Sequence, residues 1–175
     1  MIFKTHMAFA VNVALLLDIN NILVFGQETS RSIFYLILLF GSVFPDIDEP
    51  NSFIGKKFPG ISHFLCFSLG HRGFTHFLAF PILFFIVLSF FIENMEYVFA
   101  FCLGIFLHQV GDMLTNSGIK NYFYPIPFLK RIERAVLLPK SLRFSTGMLF
   151  EKVVFLPLMI VILLFLGYRA GVLYV

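Results

Sequence analysis

From residue 149 to residue 168 the chain offers only two charged side chains, Glu151 and Lys152, in an otherwise apolar run. About 20 such residues in a helix match the hydrocarbon thickness of a bilayer. In lipid every backbone N–H and C=O must be satisfied within the segment, which leaves a helix as the single-segment solution. Two further runs, 76–92 and 97–116, have the same character, and 7–25 and 32–45 are weaker versions of it. Asp18 to Asn21 interrupt the first and Pro45 ends the second, so a partly buried or re-entrant helix suits either as well as a full span. Composition agrees: 59% of the 175 residues are hydrophobic and 13% are charged, against about 25% charged in soluble domains. The expectation is one domain, residues 1–175, forming an all-α integral membrane protein of about five hydrophobic helices, three clear and two weaker.

Pro81 and Pro157 fall near the starts of their apolar runs, where a kink is tolerated, and Thr75 is placed to cap the third. The N-terminus, with Lys4 before an apolar stretch, resembles a leader, but no small-residue cleavage site follows; a retained first span is expected. Stretch 61–69 is read as an amphipathic segment lying along the interface. Within the 117–148 loop, 121–126 and 135–144 are expected to form a small hairpin. Cys66 and Cys102 lack paired or metal-type spacing and are read as packing residues.

Charge orients the chain. With five spans, Lys4, Lys56, Lys57, Arg72, Lys120, Lys130, Arg131, Arg134, Lys140, Arg143 and Lys152 share one side, eleven of the thirteen basic residues. The positive-inside rule makes that side cytoplasmic. The basic 117–148 loop is then solvated positive-inside charge, and no nucleic-acid partner is expected.

The same side collects the polar residues that a membrane protein tolerates only for a reason. These are His6, Asp46 and Asp48, the Gly70–His76 segment with His71, Arg72, Thr75 and His76, then His108 and Asp112, and finally Glu151. His108 and Asp112 are four apart, so a helix puts both on one face, with Thr115 about a turn further; together they can bind one ion or make a structural hydrogen bond. Asp46-x-Asp48 offers a bridging carboxylate or a capped turn. Arg72 suits bidentate phosphate contact, or serves as a positive-inside anchor or a partner of Asp46 or Asp48. His6 can ligate or sit at the interface, as His63 is read to do. Glu151 can ligate, act as a base, or pair with Lys152 or Arg143.

Mixed imidazole and carboxylate donors favour zinc, manganese or iron over magnesium. Clustered ions of that kind, one to three here, activate water and clamp the oxygens of a phosphoester. HExxH, GxSxG and phosphate-loop patterns are absent, which weakens protease, serine esterase and ATPase readings. The expected metal set is His6, Asp46, Asp48, His71, His76, His108, Asp112 and Glu151. Asp48 or Glu151 is the expected proton acceptor and Arg72 the phosphate clamp, with Thr75 and Thr115 facing substrate.

Phe44-Pro45-Asp46-Ile47-Asp48, Gly70-His-Arg-Gly-Phe-Thr-His76 and His108-x3-Asp112-x2-Thr115-x2-Gly118, in that order, resemble the bacterial inner-membrane metal-dependent hydrolase family of YdjM type. The resemblance extends from His6 to about Glu151 and implies a membrane-bound hydrolase, some relatives being linked to the SOS response. It further implies distant similarity to zinc-dependent phospholipase C and single-strand nuclease enzymes, whose metals are held by His and Asp on helices. Phe77 stands where relatives often have Ser, so a hydroxyl there has no counterpart. The expected function is hydrolysis of a phosphoester of a lipid or lipid-linked substrate at the cytoplasmic face of the inner membrane. The rival expectation is a non-enzymatic metal-binding membrane protein, handling ions or docking a stress-response partner. Substrate and oligomeric state are not legible in the residues.

Overall fold

The computed structural model describes residues 1–69, 73–126, 129 and 132–171. Among these residues six α-helices form: α1 Phe3–Ile19, α2 Arg31–Val43, α3 Pro59–Leu69, α4 Ala79–Ser89, α5 Met95–Met113 and α6 Leu156–Arg169. Two short 3-10 turns, Phe44–Asp48 and Phe74–His76, lead out of α2 and into α4.

Helix α5 is the centre. Asn94 starts it by accepting from the amides of Glu96 and Tyr97 at 3.0 and 3.3 Å, the usual way of satisfying free N–H groups at a helix start. Val98, Ala100 and Ile105 on it are fully buried. Helix α2 crosses it where Gly41 meets Gly104. A Cβ on Gly41 would collide with the Phe101 carbonyl, and one on Gly104 with the Leu38 carbonyl. Small residues of this kind let helix backbones touch, the favoured packing inside membranes. Ala10 and Ala14 of α1 pack into the same core beside Phe34, Leu38 and Leu107.

The outer helices are bare. On α4 only Phe80 and Pro81 are buried, and on α6 only Leu166 and Gly167. Ile82, Phe85, Ile86, Val161, Leu164 and Phe165 project outward. Contiguous apolar surface of this extent does not suit water and marks contact with lipid or protein.

Several expectations change. Among the described residues, only 151–169 forms a helix long and apolar enough to cross a membrane, so five full spans are not supported. Helices α1, α2 and α4 have 17, 13 and 11 residues, and α5, with 19, carries Glu96, His108, Gln109 and Asp112. The third apolar run loses its first turn because Phe74–His76 winds as a 3-10 turn and Phe77 is extended. Thr75 therefore does not cap α4. The last apolar helix begins with a π turn, Glu151–Phe155, just ahead of Pro157. A proline has no N–H to return to the preceding turn and its ring crowds the carbonyl four residues back, so a widened turn relieves both. The hairpin pairs Ile119–Lys120 (β1) with Arg134–Ala135 (β2), antiparallel, Ile119 opposite Ala135, rather than 121–126 with 135–144. Segment 61–69 is helical within α3, but its exposed face carries Ile61, Phe64 and Phe67.

Candidate metal centre

Four elements bring five donors together: His6 from α1, Asp46 from the first 3-10 turn, His76 from the second, and His108 and Asp112 from α5. Two overlapping sets, His6–Asp46–His108 and His76–His108–Asp112, each have donor atoms within 4.8 Å of one another. His6, His76, His108 and Asp112 are no more than 1% exposed. Asp46 keeps 19% side-chain exposure and is the cluster's link to the outside.

Hydrogen bonds fix which nitrogen of each neutral ring carries the hydrogen. His108 Nδ1 lies 2.8 Å from the carbonyl of Ser42; a carbonyl only accepts, so Nδ1 carries the hydrogen and Nε2 of the neutral ring bears a lone pair. The Thr75 hydroxyl donates to Asp48 Oδ2 and sits 2.9 Å from His76 Nδ1. That oxygen accepts from His76 Nδ1–H, and Asp48 Oδ2 lies 3.3 Å from the same nitrogen. With both rings neutral, the two Nε2 lone pairs face each other at 3.2 Å. Asp46 Oδ1 is 3.6 Å from His108 Nε2 and 4.0 Å from His76 Nε2. Asp112 Oδ2 is 3.7 Å from His76 Nε2, and Asp112 Oδ1 is 3.4 Å from His6 Nε2.

His6 stacks on His108 with ring centroids 3.7 Å apart, and among the described residues neither of its buried ring nitrogens makes a hydrogen bond. A buried ring whose nearest polar contact is a carboxylate oxygen at 3.4 Å is poorly satisfied. Facing Nε2 atoms, this poorly satisfied imidazole and two carboxylates fit a cation. With bonds of about 2.0–2.1 Å, donors at the corners of a tetrahedron stand roughly 3.3 Å apart, which matches the short edges seen here. His108 can serve one ion only, because its second nitrogen is held by Ser42.

Gly111 makes the approach of α1 possible. A Cβ there would strike the Met1 side chain and press on the His6 ring. The Met1 amino group also reaches Asp112 Oδ1, at 2.7 Å.

The remaining sequence-predicted residues are placed differently. Asp48 is buried behind His76, on its Nδ1 side. Glu151 is fully buried, but Oε1 accepts from the Ile2 amide at 2.7 Å and Oε2 from the Gly147 amide at 2.6 Å. It therefore ties the start of the last helix to the start of α1 and is not drawn into the cluster. Thr115 donates to the Asp112 carbonyl at 2.8 Å, closing the end of α5. Thr75 is committed to Asp48 and His76. His71 and Arg72 lie outside the described residues. His63 is exposed on α3, its Nδ1 2.7 Å from the Pro59 carbonyl.

Gln109, fully buried, escaped the sequence reading. Its amide donates to the Phe77 carbonyl at 3.0 Å and it receives the Tyr122 hydroxyl at 3.3 Å. Burial pushes the Tyr122 phenol up to about 12, so it stays a donor. Gln109 thereby binds α5 to the turn that carries His76. An amide inside an apolar run was a visible signal, by the same argument that singled out its neighbour His108.

Fold and cluster together define a helical membrane protein with a buried His/Asp donor set where α1, α2, α4 and α5 converge. The chain belongs to the YdjM inner membrane protein family, which it matches over residues 1–174. It is 36% identical over 83 residues to the uncharacterized protein YvsG of Bacillus subtilis, covering 47% of this chain and 52% of that one. It is 37% identical over 82 residues to the inner membrane protein YdjM of Escherichia coli, covering 43% and 41%, with the same figures for YdjM of Shigella flexneri. The chain thus spans about half the length, or less, of the relatives it matches. No solved structure matches it.

Proposed function

We propose that the protein is a metal-dependent hydrolase of the bacterial inner membrane. It cleaves a phosphoester of a lipid or lipid-linked substrate, with the cluster facing the cytoplasm. The observation that carries this is the opposed pair of His76 and His108 Nε2 atoms, flanked by the Asp46 and Asp112 carboxylates. Zinc suits three imidazoles and two carboxylates best, with manganese or iron compatible, and one to three ions as the range. A bound divalent ion supplies an acidified water and polarises a phosphoryl oxygen.

The chain's own residues have separable tasks. His6, His76, His108, Asp46 and Asp112 hold the ion. Asp48 and Thr75 orient His76, and the Ser42 carbonyl orients His108. Asp46, the one partly exposed donor, takes a proton at the solvent side in this proposal, the task expected above of Asp48 or Glu151. Arg72 is the phosphate clamp of the proposal, since a guanidinium matches phosphate oxygens two at a time. The cytoplasmic orientation rests on the charge count, and passage of several helices through the bilayer on the exposed apolar faces of α4 and α6.

The competing reading, an ion-holding protein without catalysis, draws on the near-complete burial of four donors. Metal analysis of the purified protein beside Asp112→Ala tests the centre: bound metal that the variant loses is expected, and equal content in both would overturn it. Phosphate release from lipid phosphates and pyrophosphates then separates the readings. Release abolished by His108→Ala is expected; metal without release would leave the ion holder standing.

A further inference from the structure

The two 3-10 turns that feed the cluster have a second face. In Phe44–Asp48, Asp46 and Asp48 serve the cluster, whereas Phe44 and Ile47 line a groove of about 500 Å³. In Phe74–His76, His76 enters the cluster while Phe74 and Thr75 line that same groove. Its far wall is α3, through Ile61 and Leu65, and Phe80 and Phe84 of α4 close another side. Pockets for small ligands span about 300–1,000 Å³, so the volume is sufficient for an extended ligand segment. The lining is aliphatic and aromatic carbon except at Thr75, whose hydroxyl is the link to Asp48 and His76. The groove is open at its outer end, where Phe40, Phe58 and Ile61 are about half exposed.

We infer that this groove holds one acyl chain of a membrane glycerophospholipid whose phosphate lies at the His/Asp cluster. The inference rests on the phosphoester reading above and adds to it the part of the substrate that is recognised. Three features support that occupant. A hydrocarbon chain needs no hydrogen-bond partner, and the groove offers none along its length. The groove ends at Thr75, which bonds Asp48 and His76, so a molecule that fills it and also reaches the proposed metal is apolar at one end and anionic at the other. Finally, α3 turns Phe64 and Phe67 outward, so the rim is itself suited to lie in lipid. Burial contributes about 0.8 kcal/mol per methylene relative to water, but a chain arriving from the bilayer gains little of this. The groove therefore selects by shape and by its distance from the cluster.

The test is photolabelling in nanodiscs of phosphatidylethanolamine and phosphatidylglycerol, doped with a phosphatidic acid carrying a mid-chain diazirine. Labelled peptides are mapped by mass spectrometry, with no turnover required. The expected labels fall on α3 around Leu65 and on α4 around Phe84. Leu65→Trp or Ile61→Trp, which fill the groove, are expected to cut them about tenfold, whereas Phe64→Trp on the outer face leaves them unchanged. Labels spread over the outer faces of α4 and α6, insensitive to either groove variant, would overturn the inference even if phosphate release persists. Groove labelling with no phosphate release would leave the inference standing and remove the hydrolase.

Discussion

His76 and His108 turn their Nε2 atoms to each other at 3.2 Å, because Thr75 and the Ser42 carbonyl take the Nδ1 hydrogens. With both rings neutral, that arrangement is unfavourable without an electron-poor atom between them. His76→Ala and His108→Ala should therefore each lose metal in purified protein, measured by elemental analysis. If both retain wild-type content, the centre is elsewhere.

Asp48 reaches His76 on its Nδ1 side and orients that ring. Carboxylates that orient a ligating histidine typically change metal affinity about 10–100-fold when removed. Asp48→Asn is thus expected to weaken binding by that factor in competition with a chelating dye, without abolishing it. A complete loss of site, equal to that of Asp112→Ala, would make Asp48 a ligand instead.

Glu151 accepts two backbone amides in a fully buried position. Removing it leaves both donors unsatisfied, at about 1–3 kcal/mol each. Glu151→Ala should lower the melting temperature of detergent-purified protein while metal content per folded molecule stays constant. Loss of metal at unchanged stability would assign Glu151 to the cluster.

Chelation should destabilise the wild type. A ligand that binds only the folded state at 1,000 times its dissociation constant contributes about 4.1 kcal/mol. Thermal unfolding with and without a strong chelator should differ in the wild type and coincide in Asp112→Ala. Coincident curves for the wild type would count against tight metal binding.

Gly104 meets the backbone of α2 directly. Gly104→Leu should separate α2 from α5 and cost more stability than the ~1–3 kcal/mol usual for overpacking. Wild-type melting of that variant would show that the crossing is not tight.

The sequence made the cluster's raw material legible. Polar residues are costly beside apolar runs, so His6, Asp46, His76, His108 and Asp112 stood out, and the spacing of His108 and Asp112 placed them on one helix face. What each carboxylate faces was not legible. Asp48 and Asp46 differ by one intervening residue, and only the winding of the turn decides which meets the ring nitrogens. The partners of Glu151 are backbone amides at Ile2 and Gly147, which no side-chain pattern reveals. Helix lengths misled for a related reason: the run at 76–92 is apolar apart from His76 and Ser89, yet His76 is drawn into a 3-10 turn and the helix starts later.

The crossing of Gly41 and Gly104 has a consequence for how this protein can vary. Gly41 precedes Asp46 by five residues and Gly104 precedes His108 by four, so the donors of two elements hang from one main-chain contact. Their spacing is gauged by peptide groups rather than by the size of surrounding side chains. The outward faces of α4 and α6 are then free to vary while the ring nitrogens keep their positions.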